Sequence, residues 1–221
     1  MEPLPHALFE TSDTAFSLPE GCGVLLRAGT AGDSRVRGSI VLVVATVDVE
    51  TLRRAIGGGA AAIALTGWRT GADIQRLSAL LSVAEAEESR TDGATPIFAI
   101  TDGVLPAPVS REGLSEKSRR LAALVWDQSA LRRTLGATRV LTGSGAWTAP
   151  FAAARAATLL TAAAAGIAAY DSFPDLTGAA LETACEQSRS DGFFGGLAGN
   201  VTQVAMLRTV YGRGGAENAG F

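Results

Sequence analysis

The chain has 221 residues, 47% of them hydrophobic, which is enough to bury one full core, and α/β barrels commonly run to this length as one domain. A net charge of −3 and a pI near 5.3 show no basic excess, which speaks against nucleic acid or an anionic membrane surface as partner. No run reaches the roughly 18 apolar residues of a membrane span, the N-terminus lacks a basic start with an apolar core, and Cys22 and Cys185 fit no metal spacing, so the reading is a cytoplasmic protein with two small buried thiols.

Residues 1–20, with prolines at 3, 5 and 19, read as an irregular leader, and a single α/β domain is expected over 21–211. GVLLR (Gly23–Arg27) and SIVLVVAT (Ser39–Thr46) are short apolar, β-branched runs expected as buried strands. VDVETLRRAIGGG then predicts a helix closed by glycine, and because a strand follows the triple glycine at 57–59, that tract reads as a helix stop rather than a phosphate loop. AAIALTG is the next strand, and TGADIQRLSALLSVAEAEESR carries apolar residues at three-to-four spacing, an amphipathic helix. PIFAITDG predicts a strand, SEKSRRLAAL a helix, LVWD a strand edge and QSALRRTLGA a short helix. Phe151–Tyr211 reads as helix, short strand, acidic turn, helix, glycine loop and helix, and 212–221 as a flexible tail. Strands alternating with helices of this length imply parallel pairing through right-handed crossovers, hence an α/β barrel or a doubly wound sheet.

In such folds reactive groups gather where strands end. The expected strand ends offer Arg27, Thr46, Thr66, Asp102, Asp127, Asp171 and Asn200, with Arg69, Gln128 and Ser129 beside them. Asp102 follows IFAIT and precedes a glycine, so it is either a strand-mouth carboxylate suited to a divalent ion or general base, or an Asp-Gly turn; the residues alone leave both open. The only histidine, His6, lies in the leader, which argues against Ser/His/Asp, Cys/His and histidine-metal centres.

AAGIAAYDSFPDL followed by GFFGGLAGNVTQV resembles the closing strands of the citrate lyase β-subunit-like aldolases, the broad HpcH/HpaI family of carbon–carbon lyases. The resemblance is specific over Phe151–Tyr211 and moderate over 60–136. Before Ser39 the family's LFVPG-like and LDLED-like strands have no counterpart. It implies a (β/α)8 TIM-barrel-like fold, incomplete at its N-terminal end, and a lyase acting with Mg2+ on a small oxo-acid or acyl-CoA-type substrate. IFAITDGV resembles the strand that ends in the family's metal-binding glutamate, with Asp102 in its place. Counting back from Leu135-Gly136-Ala137, the second acidic ligand falls on Ala130, with Asp127 a turn earlier as its substitute. Arg27 in LLRAG stands for the substrate arginine, with Arg69 and Asn200 as further substrate contacts, and Asp171 matches the strand-end aspartate, a catalytic partner for Asp102. Asp175 either caps the next helix or touches substrate. Gly192, Phe193, Gly195 and Gln203 persist from the family's loop, whereas its lysine is Gly196, its His-Pro pair is Asn200-Val201 and its Pro-Lys pair is Thr66-Gly67. These departures keep open an inactive barrel serving as a partner subunit or small-acid-binding protein, or a metal-independent enzyme of secondary metabolism. The alanine-rich helix AAARAATLLTAAAAG and the family's habit imply a homo-oligomer, a trimer or hexamer.

Overall fold

The apolar runs become parallel strands joined through helices, and the ring they form is closed. The computed structural model describes residues 4–11, 22–27, 38–104 and 113–212. Its strands are β1 Ala7–Glu10, β2 Cys22–Arg27, β3 Ile40–Val44, β4 Ala62–Thr66, β5 Ile97–Thr101, β6 Leu121–Trp126, β7 Ala168–Ser172 and β8 Gly195–Ala198, each paired with the next and β8 with β1. The described helices are α1 Val49–Gly57, α2 Gly71–Glu87, α3 Gln128–Leu135, α4 Ala149–Ala165, α5 Gly178–Asp191 and α6 Val201–Gly212. None of them is long and apolar enough to cross a membrane.

Two-residue alternation splits each strand between two cores. Leu8, Leu25, Leu42, Ala64, Phe98, Ile100, Val125 and Tyr170 fill the barrel interior. Val41, Ile63, Leu65, Ile97 and Leu124 point outward onto Leu52 and Ile56 of α1 and Ile74, Leu77 and Leu81 of α2. Local chemistry sets the helix limits. Asp48 caps α1 by accepting from Thr51 N at 2.8 Å, and the helix stops where Gly58 N reaches back to Arg54 O at 2.9 Å, as the glycine tract predicts. Thr70 and Asp73 form a capping box on α2, and α3 ends on Gly136 with φ +61°.

Three expectations are corrected. The leader contains β1, so the barrel is not missing a strand at its N-terminal end. Upstream of β1, Pro5 O accepts from Tyr170 Oη at 2.7 Å, and His6 O accepts from Gly196 N at 2.9 Å. Four residues are too few to display alternation, which hid this strand. The helix expected over SEKSRRLAAL is a single 3-10 turn at Leu114–Glu116, after which Leu121 already begins β6. The glycine loop contains β8, where Gly195 and Gly196 are required by crowding: a Cβ on the first would run into the His6 backbone, and on the second would lie 2.5 Å from Phe173 Cε2. The expected tail beyond Gly212 lies outside the described residues.

Candidate functional site

Continuing the inward alternation past the core layer identifies what lines the C-terminal mouth. From Leu8, Leu25, Leu42 and Ala64 it leads to Glu10, Arg27, Val44 and Thr66. From Ile100, Val125 and Tyr170 it leads to Asp102, Asp127 and Ser172. In a ring of eight strands, β1 and β2 stand across from β5 and β6. The pair Glu10 and Arg27 therefore faces the pair Asp102 and Asp127 over the barrel opening.

Asp102 and Asp127 follow adjacent strands whose last residues, Thr101 and Trp126, are register partners. Asp102 forms the expected turn, accepting from Val104 N on Oδ1 at 3.0 Å, and it lies half-buried after the end of β5. Its Oδ2 accepts from Thr134 Oγ1 at 3.0 Å, while its main-chain carbonyl accepts from Trp126 Nε1 at 3.2 Å. Asp127 caps α3, its Oδ1 accepting from Ser129 N at 2.8 Å and Ala130 N at 3.0 Å. Arg133 Nη2 stands 3.8 Å from its Oδ2. Ala130, the expected place of the second ligand, thus contributes a backbone N–H to the carboxylate three residues before it.

Arg27 pairs with Glu10 at 2.6 Å, both side chains substantially exposed. Arg69 lies in the β4–α2 loop, where its backbone N–H donates to Asp73 Oδ2 at 2.8 Å and its residue is exposed. Asn200, half-buried in the β8–α6 loop, caps α6 by accepting from Gln203 N at 3.0 Å. Gln203 itself is buried and braces two mouth loops, accepting from Gly199 N at 2.8 Å and donating to Pro174 O at 2.9 Å. Asp175 does not cap α5; Thr177 stands at that position.

Asp171 is not at the mouth. Tyr170 takes the inward place on β7, so Asp171 faces the helix layer, where it is 1% exposed. Arg155 of α4 holds it with Nε at 2.8 Å and Nη2 at 2.6 Å, and also reaches Asp191 of α5 at 2.6 Å. Burial pushes the Asp171 carboxyl above its ordinary range, and the neighbouring guanidinium pulls it back. The expected catalytic partnership of Asp102 with Asp171 has no geometric basis, because the two acids lie on opposite faces of the sheet.

Glu10, Arg133, Thr134 and Arg155 escaped the sequence reading. Arg155 had a signal, being the only charge in α4. Glu10 had a faint one, following the apolar ALF, and Thr134 had none. For Mg2+, two carboxylates on neighbouring strand ends form a sufficient donor set when substrate and water supply the remaining oxygens. Among the described residues no group of three or more His, Cys, Asp or Glu side chains is placed to bind a metal unaided.

No protein-family model matches the sequence, and no curated protein matches it. Solved structures do. RipC from Yersinia pestis superimposes with a TM-score of 0.69 at 16% identity over 94% of each chain. A citrate lyase from Burkholderia xenovorans LB400 gives 0.71 at 12% identity, over 95% of this chain and 77% of that one. The citrate lyase β subunit of M. tuberculosis, solved with oxaloacetate and magnesium, gives 0.68 at 16% identity, over 94% and 97%. Identities this low carry the fold and leave the chemistry to the site. At the level of fold, then, the resemblance read from Phe151–Tyr211 holds: this chain is a (β/α)8-type barrel of the architecture found in RipC and the citrate lyase β subunits.

Proposed function

We propose that the chain is a carbon–carbon lyase-type protein that takes a small oxo-acid or acyl-CoA-type carboxylate into the C-terminal mouth of its barrel. The observation that carries this reading is the closed strand order, which sets β2, ending in Arg27, across the ring from β5 and β6, which Asp102 and Asp127 follow. Structural neighbours solved with oxaloacetate and magnesium, and with magnesium, acetoacetate and coenzyme A, support the ligand class.

Arg27 would hold the substrate carboxylate through its planar fork of donors. To do so it would exchange its exposed partner Glu10 for the ligand. Beneath the opening, Ile100 and Val125 give the reacting end a dry floor. Arg69 and Asn200, on the β4–α2 and β8–α6 loops, would contact the distal part of a longer ligand. Asp102 and Asp127 would hold Mg2+, which would supply positive charge beside the oxygen where an enolate develops. Ser172 Oγ accepts from Gln128 N at 2.8 Å and fixes the start of α3, so the Asp127 side of the mouth is tied to β7.

A catalytically inactive barrel, acting as a partner subunit or small-acid binder, or a metal-independent enzyme, is the second reading. It is favoured by one observation: both acids already serve local turns and caps. In either case we propose a cytoplasmic homo-oligomer built through the outer face of α4, where Ala152, Ala156, Leu160 and Ala163 are exposed and Leu160 is 67% accessible.

The deciding experiment is calorimetric titration of chelator-stripped protein with Mg2+ and Mn2+, alone and with pyruvate or oxaloacetate, on wild type and Asp102→Ala. Cation binding that the substitution abolishes, strengthened by the oxo-acid, is the expected result. A wild type that binds neither cation sinks the metal-dependent lyase and leaves the second reading.

A further inference from the structure

Arg133 and Thr134 are consecutive on the last turn of α3, and each stands by the second oxygen of a different mouth acid. Thr134 Oγ1 donates to Asp102 Oδ2 at 3.0 Å, and Arg133 Nη2 lies 3.8 Å from Asp127 Oδ2. The first oxygens are occupied from the backbone, by Val104 N on Asp102 and by Ser129 N and Ala130 N on Asp127. The oxygens best placed to accept a cation are therefore the two beside which α3 has set a hydroxyl donor and a positive charge.

We infer that Arg133 and Thr134 form an in-chain latch that competes with a divalent cation for the Asp102/Asp127 pair and sets its affinity. The inference rests on the reading of the mouth proposed above. A cation at Asp127 meets the repulsion of the Arg133 guanidinium, and at Asp102 it must share or displace the Thr134 hydroxyl. The latch is free to yield. Within α3 only Leu131 is fully buried, and the helix ends on a left-handed glycine, so its last turn can shift without opening the core. A tryptophan reports on the same spot. The Trp126 indole donates to the Asp102 carbonyl and packs edge-on against Trp147 at 5.1 Å.

The test is Mn2+ titration of the chelator-stripped full chain, followed by calorimetry and by tryptophan emission. The proteins are wild type, Thr134→Val, Thr134→Ser, Arg133→Ala and the Arg133→Ala/Thr134→Val double variant. Both positions are exposed on a helix, so the variants fold. A lost hydrogen bond and a lost exposed charge contact are each worth a few-fold, so the double variant should bind Mn2+ about tenfold more tightly. Thr134→Ser, which keeps the hydroxyl, should match wild type. The gain from Arg133→Ala should shrink when salt rises from about 0.05 to about 0.5 M, since an exposed charge is screened there, while the gain from Thr134→Val should persist. Equal or weaker binding by the double variant, with wild type still binding, overturns the latch and leaves the mouth reading standing. Thr134→Ser binding as Thr134→Val does would overturn the latch in the same way. Absence of Mn2+ binding in every protein, the double variant included, overturns the mouth reading and the latch with it.

Discussion

Asp171 and Asp102 look alike in sequence, each an acid at the end of an apolar run, yet one residue of register sends them to opposite faces of the sheet. On the helix side Asp171 is buried and depends on Arg155 for compensation. Arg155→Met should leave that carboxylate without its counter-charge and cost about 3–5 kcal/mol at neutral pH. The pH dependence has a definite sign. Burial already raises the folded-state pKa of Asp171, and removing the guanidinium raises it further. A raised carboxyl favours the folded state below its unfolded value of about 4 and loses that contribution as pH rises through the folded value. The variant's deficit against wild type should therefore narrow toward acid pH in denaturant melts. Arg155→Met/Asp171→Asn should recover most of the loss at neutral pH. A deficit independent of pH would show that packing against Phe193, over which Arg155 lies at 4.6 Å, is the larger part.

Between elements, a buried polar joint lies at the opposite end of the barrel from the mouth, and it explains why SEKSRRLAAL does not form a helix. Glu85 on α2 accepts from Thr95 N at 2.7 Å and Gly93 N at 2.9 Å, and pairs with Arg120 at 2.7 Å, so one carboxylate joins α2 to the entries of β5 and β6. SEKSRRLAAL has helical composition, but Arg120 is drawn into this joint and Leu121 onward is claimed by pairing with β5. Tertiary contacts override propensity here. The spacing of α2 was legible, yet its one fully buried acid looks like any other charge in SVAEAEESR. Burial alone would lift the Glu85 carboxyl, but the donors from Thr95, Arg120 and Gly93 outweigh it and hold the group below the usual range. A depressed carboxyl stabilises the fold above its unfolded value of about 4.3 and loses this as pH falls through the folded one. Glu85→Gln should cost about 2–4 kcal/mol at pH 7 by leaving Arg120 only the exposed Asp92 as counter-charge, and should flatten the acid limb of the stability curve. Acid melts parallel to wild type would place the acid sensitivity elsewhere.

For the whole molecule the decisive element is β1, a strand that periodicity could not reveal because it is only four residues long. The alternation of longer strands and helices made a parallel α/β architecture legible, and the family resemblance of Phe151–Tyr211 pointed from there to the barrel. Closure was not legible, since it depends on Ala7–Glu10 pairing with β2 on one side and β8 on the other. The site follows the same division. Arg27, Asp102 and Asp127 were readable as strand ends, but their opposition across a mouth exists only once the ring is shut, and Glu10 enters the site only as part of β1. Closure should therefore be a condition of stability as well as of the proposed site. Removing residues 1–11 takes out Leu8 from the barrel interior and leaves β2 and β8 as open edges, which invite pairing with other chains. The truncated protein should keep much of its helical far-ultraviolet signal, lose cooperative thermal unfolding and form large assemblies on size exclusion. Leu8→Ala keeps both edges paired, so it should stay at the native assembly size and unfold cooperatively, destabilised by about 2–5 kcal/mol. If the truncated chain instead elutes like the full-length protein and melts in one sharp transition, β2 and β8 must close the ring without β1, and the approach of Glu10 to Arg27 would be dispensable to the barrel.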